Sequence, residues 1–394
     1  MKKFLILSLV FLTVSVSIIL QNNLLYASPS VNDPNLDVET FVNGLSFPTS
    51  MLFLDGSNIL VLEKEGDVRL VSNGVLDPHP VISLNVDSKN ERGLLGIEKV
   101  EDNVFLYATV KDGSITNKIY KYFLQTGPEL TNQEVLVDLP ATPGTNHQGG
   151  KLVVGKDGYL YSVTGELQRN GKDQNIAKGS DPDFSGAILK INPNNGLPAP
   201  NNPFRSDNSR DPINWYQAYG IRNSFGLAID PVTGALWDTE NGEKTFDEIN
   251  LISPGFNSGW KLTMGPISEN GISQNDLVNL PDSNYKDPVL SFKRSMGITD
   301  IEFFNSDNFG ATYKNNAFVG DIKFGNLYRF ELNDERVEFK FHDPELNDRI
   351  VDNNDELDSI IFGQGFGGIT DIKTGPDGYL YILSFNDGAI YRIY

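Results

Sequence analysis

Six stretches of this chain repeat one grammar, and that repetition constrains the fold more than any other feature. Each runs strand, Gly/Asp turn, strand ending in aromatic residues, then a strand built on Gly-x-[Ile/Leu]-x-[Arg/Lys]. They cover residues 47–74, 93–123, 149–193, 222–260, 297–332 and 368–394. Turn residues fall between β-type runs, as in GKDGYLYSVTGE of the third stretch and GPDGYLYILSFNDGAIYRIY of the sixth. The fifth and sixth share a pentapeptide: Gly297-Ile298-Thr299-Asp300-Ile301 recurs as Gly368-Ile369-Thr370-Asp371-Ile372. Two such copies predict equivalent inner strands facing one central channel. A unit of this kind cannot bury both faces alone. Neighbours must stack, and radial closure then hides the sheet edges. The expectation is a single all-β domain over residues 38–394.

Composition agrees. A length of 394 residues suits a closed ring of four-stranded sheets, and a hydrophobic share of 39% is enough for a core. Glycine (37) and proline (21) supply the many turns. Cysteine is absent, which excludes disulfides and thiolate metal sites. The net charge of −20 makes a surface that repels nucleic acid and removes that partner class. Acidity by itself reads as solubility in a salty exterior rather than as metal sites.

The N-terminus reports a destination. Lys2 and Lys3 precede an apolar run over 4–20, and Leu25-Tyr26-Ala27 stands before Ser28. This is a secretory signal pattern over residues 1–27, with an uncleaved membrane anchor as the alternative. Membrane contact is expected only in that second case, because no later stretch is long enough to span a bilayer. The expected location is extracytoplasmic. Two polar inserts, 167–180 and 264–293, and the acidic run DNNDELD at 352–358 are expected as loops at the channel mouth.

Residues 222–260, RNSFGLAIDPVTGALWDTENGEKTFDEINLISPGFNSGW, resemble one blade of the glucose/sorbosone dehydrogenase family. The string Glu91-Arg92-Gly93-Leu94-Leu95-Gly96 resembles the same family. The resemblance is carried by residues 91–260 and 317–394, and 261–293 add little to it. It implies a six-bladed β-propeller of four-stranded antiparallel blades. It also implies a sugar dehydrogenase that uses pyrroloquinoline quinone (PQQ) held on calcium, with a small-molecule sugar as substrate and an unnamed external electron acceptor.

The family's functional positions map onto particular residues here. His147, in Asn146-His147-Gln148-Gly149-Gly150, matches the general base that takes the sugar hydroxyl proton. An imidazole, whose ordinary pKa lies near neutrality, suits that role. The plainer reading is a histidine satisfying a turn. His79 and His342 fall in apparent loops and are expected on the surface. Well-known members carry Asp before the base, whereas Asn146 stands here and cannot stabilise an imidazolium by charge. Glu166, in Thr164-Gly165-Glu166, matches a second acidic position and is expected to orient His147; its plainer reading is a turn carboxylate. Arg222 and Asn223 match the pair that contacts the quinone oxygens, where a guanidinium stabilises negative charge. A salt bridge at a strand start is the plainer account of Arg222. Gly242 and Glu243 match the backbone carbonyls that bind calcium, with Glu243 where proline is common. Lys323 matches the lysine that contacts the cofactor. Glu91 matches a Gln/Glu position on the substrate side.

One departure stands out. Gly368-Ile369-Thr370 occupies the place of an Arg-x-Arg motif that pairs with cofactor carboxylates in the cofactor-binding members. PQQ carries three carboxylates, and the change removes up to two bidentate partners, each contributing about 1.5–3 kcal/mol. An aromatic residue near the quinone is also missing. Lys293 or Arg294 lies near its place and is expected to compensate for a lost arginine. Two other functions stay open: a binding propeller that has lost its cofactor, and a calcium-dependent lactonase. The acidic run 352–358 does not satisfy the Asp-x-Asn-x-Asn-Gly calcium loop. Neither a phosphate-binding Gly-rich loop nor a Gly-x-Ser-x-Gly elbow is present, which disfavours nucleotide cofactors and that class of serine hydrolase.

Overall fold

The computed structural model describes residues 28–394, so the segment read as a secretory signal lies outside the described residues. The repeated grammar produces repeated local structure. In the third stretch Asp157 Oδ1 accepts the Tyr159 N–H at 3.2 Å, and the Tyr161 hydroxyl donates to Asp157 Oδ2 at 3.1 Å. In the sixth, Asp377 holds Tyr379 and Tyr381 in the same way, at 3.2 and 2.8 Å. Glycine is required at both turns, since Gly158 and Gly378 have φ of +77° and +81°. The strands that follow, Leu160–Thr164 and Leu380–Ser384, are buried at every residue. A strand with sheets stacked on both faces reads as a continuous apolar run rather than an alternating one.

The strands form six sheets, and the fold is an all-β propeller. The innermost strands, in chain order, are Pro48–Phe53, Leu94–Val100, Leu152–Val154, Ser224–Ile229, Ile298–Phe303 and Ile369–Thr374. Each packs against the next and the last against the first, which closes a ring around one channel. Apolar layers fill the gaps between sheets. Phe105, Tyr107, Leu189, Tyr216 and Tyr219 lie between the second and third. Trp237, Leu290, Phe303, Phe330 and Phe339 lie between the fourth and fifth. The N-terminal strand Val38–Asn43 pairs antiparallel with Ala389–Ile393 and so completes the sixth sheet from the other end of the chain. Upstream of it, Ser30–Val31 pairs with Ile361–Gln364 in the fifth sheet.

The four-stranded antiparallel pattern holds in the second and sixth sheets, while the others carry five or six strands. Some additions are parallel: Phe256–Asn257 lies beside Tyr216–Tyr219, and Ile350–Val351 beside Leu290–Arg294. The added pieces come from segments that the repeat does not dictate. The acidic run 352–358, expected as a loop, is largely helical. Asn354–Ile360 is an α-helix started by a capping box, in which Asn353 Oδ1 accepts the Glu356 N–H at 3.0 Å and Glu356 reaches back to the Asn353 N–H. The two polar inserts bond to one another, with the Val278 N–H on Asn175 Oδ1 at 3.0 Å.

The shared pentapeptide does the same work in both copies. Thr299 Oγ1 donates to the Ile369 carbonyl at 2.7 Å and Thr370 Oγ1 to the Pro48 carbonyl at 2.9 Å, each on the next inner strand round the ring. Asp300 Oδ2 accepts the Ile372 N–H at 2.9 Å, and Asp371 Oδ2 the Met51 N–H at 2.6 Å. Register shifts at Ile298/Ile301 and Ile369/Asp371 bend both strands at this point. A bulge re-aims side chains in this manner. Between the two aspartates the Lys151 ammonium lies 2.7 Å from Asp300 and 2.6 Å from Asp371.

Candidate functional site

The site is assembled where the second, third and fourth sheets meet at the channel mouth. His147 sits just ahead of the third inner strand with φ of +61°, followed by Gly149 at +66° and Gly150 at +110°. Its Nδ1–H donates to the Glu166 carboxylate, which is 2% exposed. A carboxylate only accepts, so this contact leaves Nε2 as the free acceptor of the neutral ring. The Glu166 N–H in turn donates to the Arg222 carbonyl at 2.9 Å. Gly165 permits this convergence: a Cβ there would lie 2.3 Å from the His147 carbonyl oxygen and 3.0 Å from that of Arg222.

Glu91 ties the second sheet to the other two. Its Oε2 accepts the His147 backbone N–H at 2.7 Å and the Asn223 side-chain amide at 3.0 Å. Arg222 is buried; its backbone N–H donates to Glu240 Oε1 at 2.6 Å and its Nη1 to the Asn241 carbonyl at 2.7 Å. The guanidinium lies 5.1 Å from the centre of the Trp260 ring. Burial draws it below its ordinary pKa, and the charges of Glu166, Glu240, Glu243 and Glu91 pull it back. Arg222 Nε and Asn223 Oδ1 are buried with no hydrogen-bond partner. Thus His147, Glu166, Glu91, Arg222 and Asn223, expected together, are brought together.

Gly242 and Glu243 form the turn after the strand Leu236–Glu240. The Gly242 N–H donates to Asp247 Oδ1 at 3.0 Å, and a Cβ at this position would lie 2.0 Å from the Thr245 carbonyl. Lys323 is exposed and donates to the Ser295 carbonyl and hydroxyl at 2.9 and 2.8 Å. The Ser295 hydroxyl continues to Asp247 Oδ1 at 2.9 Å, so Lys323 and Gly242 are linked through one buried carboxylate. Lys293 and Arg294 are the cations expected to compensate for a lost arginine. Lys293 is exposed, 3.5 Å from Asp352, and Arg294 lies over the Phe324 ring; neither lines the channel cavity. His79 and His342 are exposed, as expected.

Beneath Arg222 lies a feature that the sequence reading missed. Asp238 and Glu240 face Asn250 and Glu248 across two paired strands, and all four are buried. Burial pushes the three carboxyls up, Glu240 to about 7. The period-two spacing of these acids on adjacent strands was visible, but not which face it would occupy.

A cavity of about 250 Å³ opens on the propeller axis, with Glu91 in its wall. Thr49, Phe225, Thr299 and Thr370 line it from inner strands, and Glu91 and Gly149 from the segments that lead into the second and third. Lys64, Lys151 and Phe385 also line it.

This ring of sheets and its polar mouth define a propeller with an axial site. Residues 45–392 match the Glucose / Sorbosone dehydrogenase family, and the chain belongs to that family. It is 26% identical over 381 residues to the aldose sugar dehydrogenase YliI of Escherichia coli (strain K12), covering 94% of each chain. A protein of Thermus thermophilus, whose assignment as an oxidoreductase (glucose dehydrogenase) is provisional, superposes with a TM-score of 0.73 at 28% identity. That match covers 91% of this chain and all of the other. The PQQ-bound aldose sugar dehydrogenase of Streptomyces coelicolor shares the fold, with a TM-score of 0.66 at 22% identity over 93% of this chain and 99% of its own.

The residues present fit a quinone cofactor at one end. The buried Arg222 guanidinium keeps an unpartnered donor, Nε, while the neighbouring Asn223 amide donates to Glu91 and leaves its acceptor Oδ1 unpartnered. At the other end Gly368, Ile369 and Thr370 offer no guanidinium, and the Thr370 hydroxyl is already engaged by Pro48.

Proposed function

We propose that this protein is an exported, PQQ-dependent aldose dehydrogenase that oxidises a sugar to its lactone. The carrying observation is the His147–Glu166 pair, whose backbone is held, together with the Asn223 amide, by Glu91 in the wall of the axial cavity. When bound, PQQ would supply the two-electron acceptor for the hydride leaving the sugar carbon, and the Gly242 and Glu243 carbonyls would hold the calcium that would polarise it. The protein's residues do the rest. Nε2 of His147 takes the proton of the anomeric hydroxyl as the carbonyl of the lactone forms. Glu166 fixes the ring tautomer and stabilises the imidazolium, the task that an acid at position 146 performs in other family members. Arg222, Asn223 and Lys323 stabilise negative charge on the acceptor. Glu91 holds the His147 backbone and faces the sugar. In this reading the propeller has six blades, one to each sheet, and residues 1–27 direct export. The acidic surface keeps nucleic acid away.

The test is spectral. The chain without residues 1–27 is loaded with calcium and PQQ, freed of unbound cofactor and mixed with a panel of aldoses. A retained quinone spectrum that bleaches with one sugar supports the proposal and identifies the substrate. A folded protein that binds calcium but retains no quinone overturns it in favour of a binding propeller.

A further inference from the structure

We infer that Lys64 receives a carboxylate of the bound cofactor, supplying from the first sheet the positive charge that Gly368 and Thr370 do not supply from the sixth. This inference rests on the PQQ reading above.

Two lysines line the axial cavity, and they are not equivalent. Lys151 is spent, since its ammonium lies within 2.7 Å of both Asp300 and Asp371. Lys64 has no carboxylate within ion-pair distance among the described residues, and its ammonium donates only to the Ser88 carbonyl. An ammonium carries three donors, so Lys64 keeps donors to spare. The side chain is half-buried, and burial draws its pKa down while Glu65, Asp87 and Glu91 act on it from farther off. A half-buried cation without a close counter-ion is the group that an anionic ligand would complete.

The backbone of Lys64 is fixed, and its side chain lines the cavity. The Lys64 N–H donates to the Phe47 carbonyl at 3.1 Å, and its carbonyl accepts the Leu94 N–H at 3.0 Å, pinning it between two sheets. Gly93, at φ +149°, leaves room for the stem: a Cβ there would lie 2.8 Å from Lys64 Cγ. Thr370 lines the same cavity, and its sheet is the next one round the ring. The replacement charge therefore enters from one sheet away. The cavity wall also carries Thr49, Leu95 and Phe385 beside the polar Asn90 and Glu91.

The experiment is an equilibrium titration of PQQ into calcium-loaded protein, read by quinone absorbance, for the wild type, Lys64→Met and Lys64→Arg. Thermal unfolding without cofactor checks that each variant is folded. The expected result is a Kd weakened on the order of ten- to a hundredfold in Lys64→Met and restored to within a few-fold in Lys64→Arg. The salt dependence of Kd should also flatten in Lys64→Met, which a purely structural role would not produce. An unchanged Kd in folded Lys64→Met overturns the inference and leaves the dehydrogenase reading standing. An unchanged Kd with a raised KM for acidic sugars alone also overturns it, by assigning the ammonium to substrate. A wild type that binds no PQQ overturns both.

Discussion

The Glu91 carboxylate carries the His147 backbone: Oε2 accepts the His147 N–H at 2.7 Å from 56 positions upstream. The same oxygen holds Asn223, so one atom sets the spacing of base and amide. Glu91→Ala should remove two charge-assisted hydrogen bonds and cost roughly 2–4 kcal/mol of stability. Glu91→Gln retains an acceptor and should cost less than half of that. Denaturant unfolding of the two variants checks the order.

His147→Ala should lower kcat by about 10²–10⁴ while leaving PQQ affinity within a few-fold, because a general base acts on the sugar and not on the cofactor. Glu166→Gln keeps the shape of the contact but removes the charge that stabilises the imidazolium. Its kcat should fall less than that of His147→Ala. Steady-state kinetics beside quinone titration separates the two effects.

Gly165→Ala probes close approach. The added methyl would meet the His147 carbonyl at 2.3 Å. Backbone cannot give way as a flexible side chain can, so a stability loss of roughly 1–3 kcal/mol and a displaced His147 are expected. A variant with unchanged Tm and kcat would refute the stated role of this glycine.

The axial aspartates predict a pH signature. Burial pushes Asp300 up to about 8, with the Asp371 charge adding to the rise and Lys151 opposing it. Burial opposes ionisation of Asp371 too, but the Lys151 and Lys373 ammoniums hold it well below the usual carboxylate range. One ammonium sits between two acids, so one proton belongs to the pair. A raised carboxyl binds more protons folded than unfolded, and its contribution to stability falls as pH rises from about 4 to about 8. A depressed carboxyl contributes stability that is lost as pH falls below about 4. Asp300→Asn should therefore gain on the wild type by about 1 kcal/mol or more between pH 5 and pH 8.5, as measured by Tm or denaturant midpoint.

Calcium removal is a further perturbation. With a chelator, PQQ affinity should fall at least tenfold, and the Tm gain on adding PQQ should shrink. An equal Tm gain with and without chelator would remove the Gly242 and Glu243 carbonyls from the cofactor site.

Much of the ring was legible because its determinants are local. The Asp-Gly-Tyr turns set φ above zero and a tyrosine hydroxyl at fixed offsets, and Thr299 and Thr370 repeat one contact from one pentapeptide. The mouth residues were legible through family resemblance, since nothing local in Glu166 announces His147. What escaped reading depends on neighbours distant in sequence. Two-residue strands such as Phe256–Asn257 exist only because another edge is there to pair with. The acids at 238, 240 and 248 alternate on their strands, yet alternation does not say which face is buried. Lys64 and Lys151 look alike as residues and differ only in what the ring places beside them. Asn353 and Glu356 could have been read as a capping box, but the run of acids masked it.

The pairing of Val38–Asn43 with Ala389–Ile393 has a temporal consequence. Strands about 350 positions apart are partners, so the ring of sheets has no latch until Ala389–Ile393 is in place. Until then the sixth sheet has an open edge and the first lacks its neighbour. Any passage through a pore that admits only unfastened polypeptide must come before that latch closes, and a nick that frees either end should loosen the circle from both sides at once.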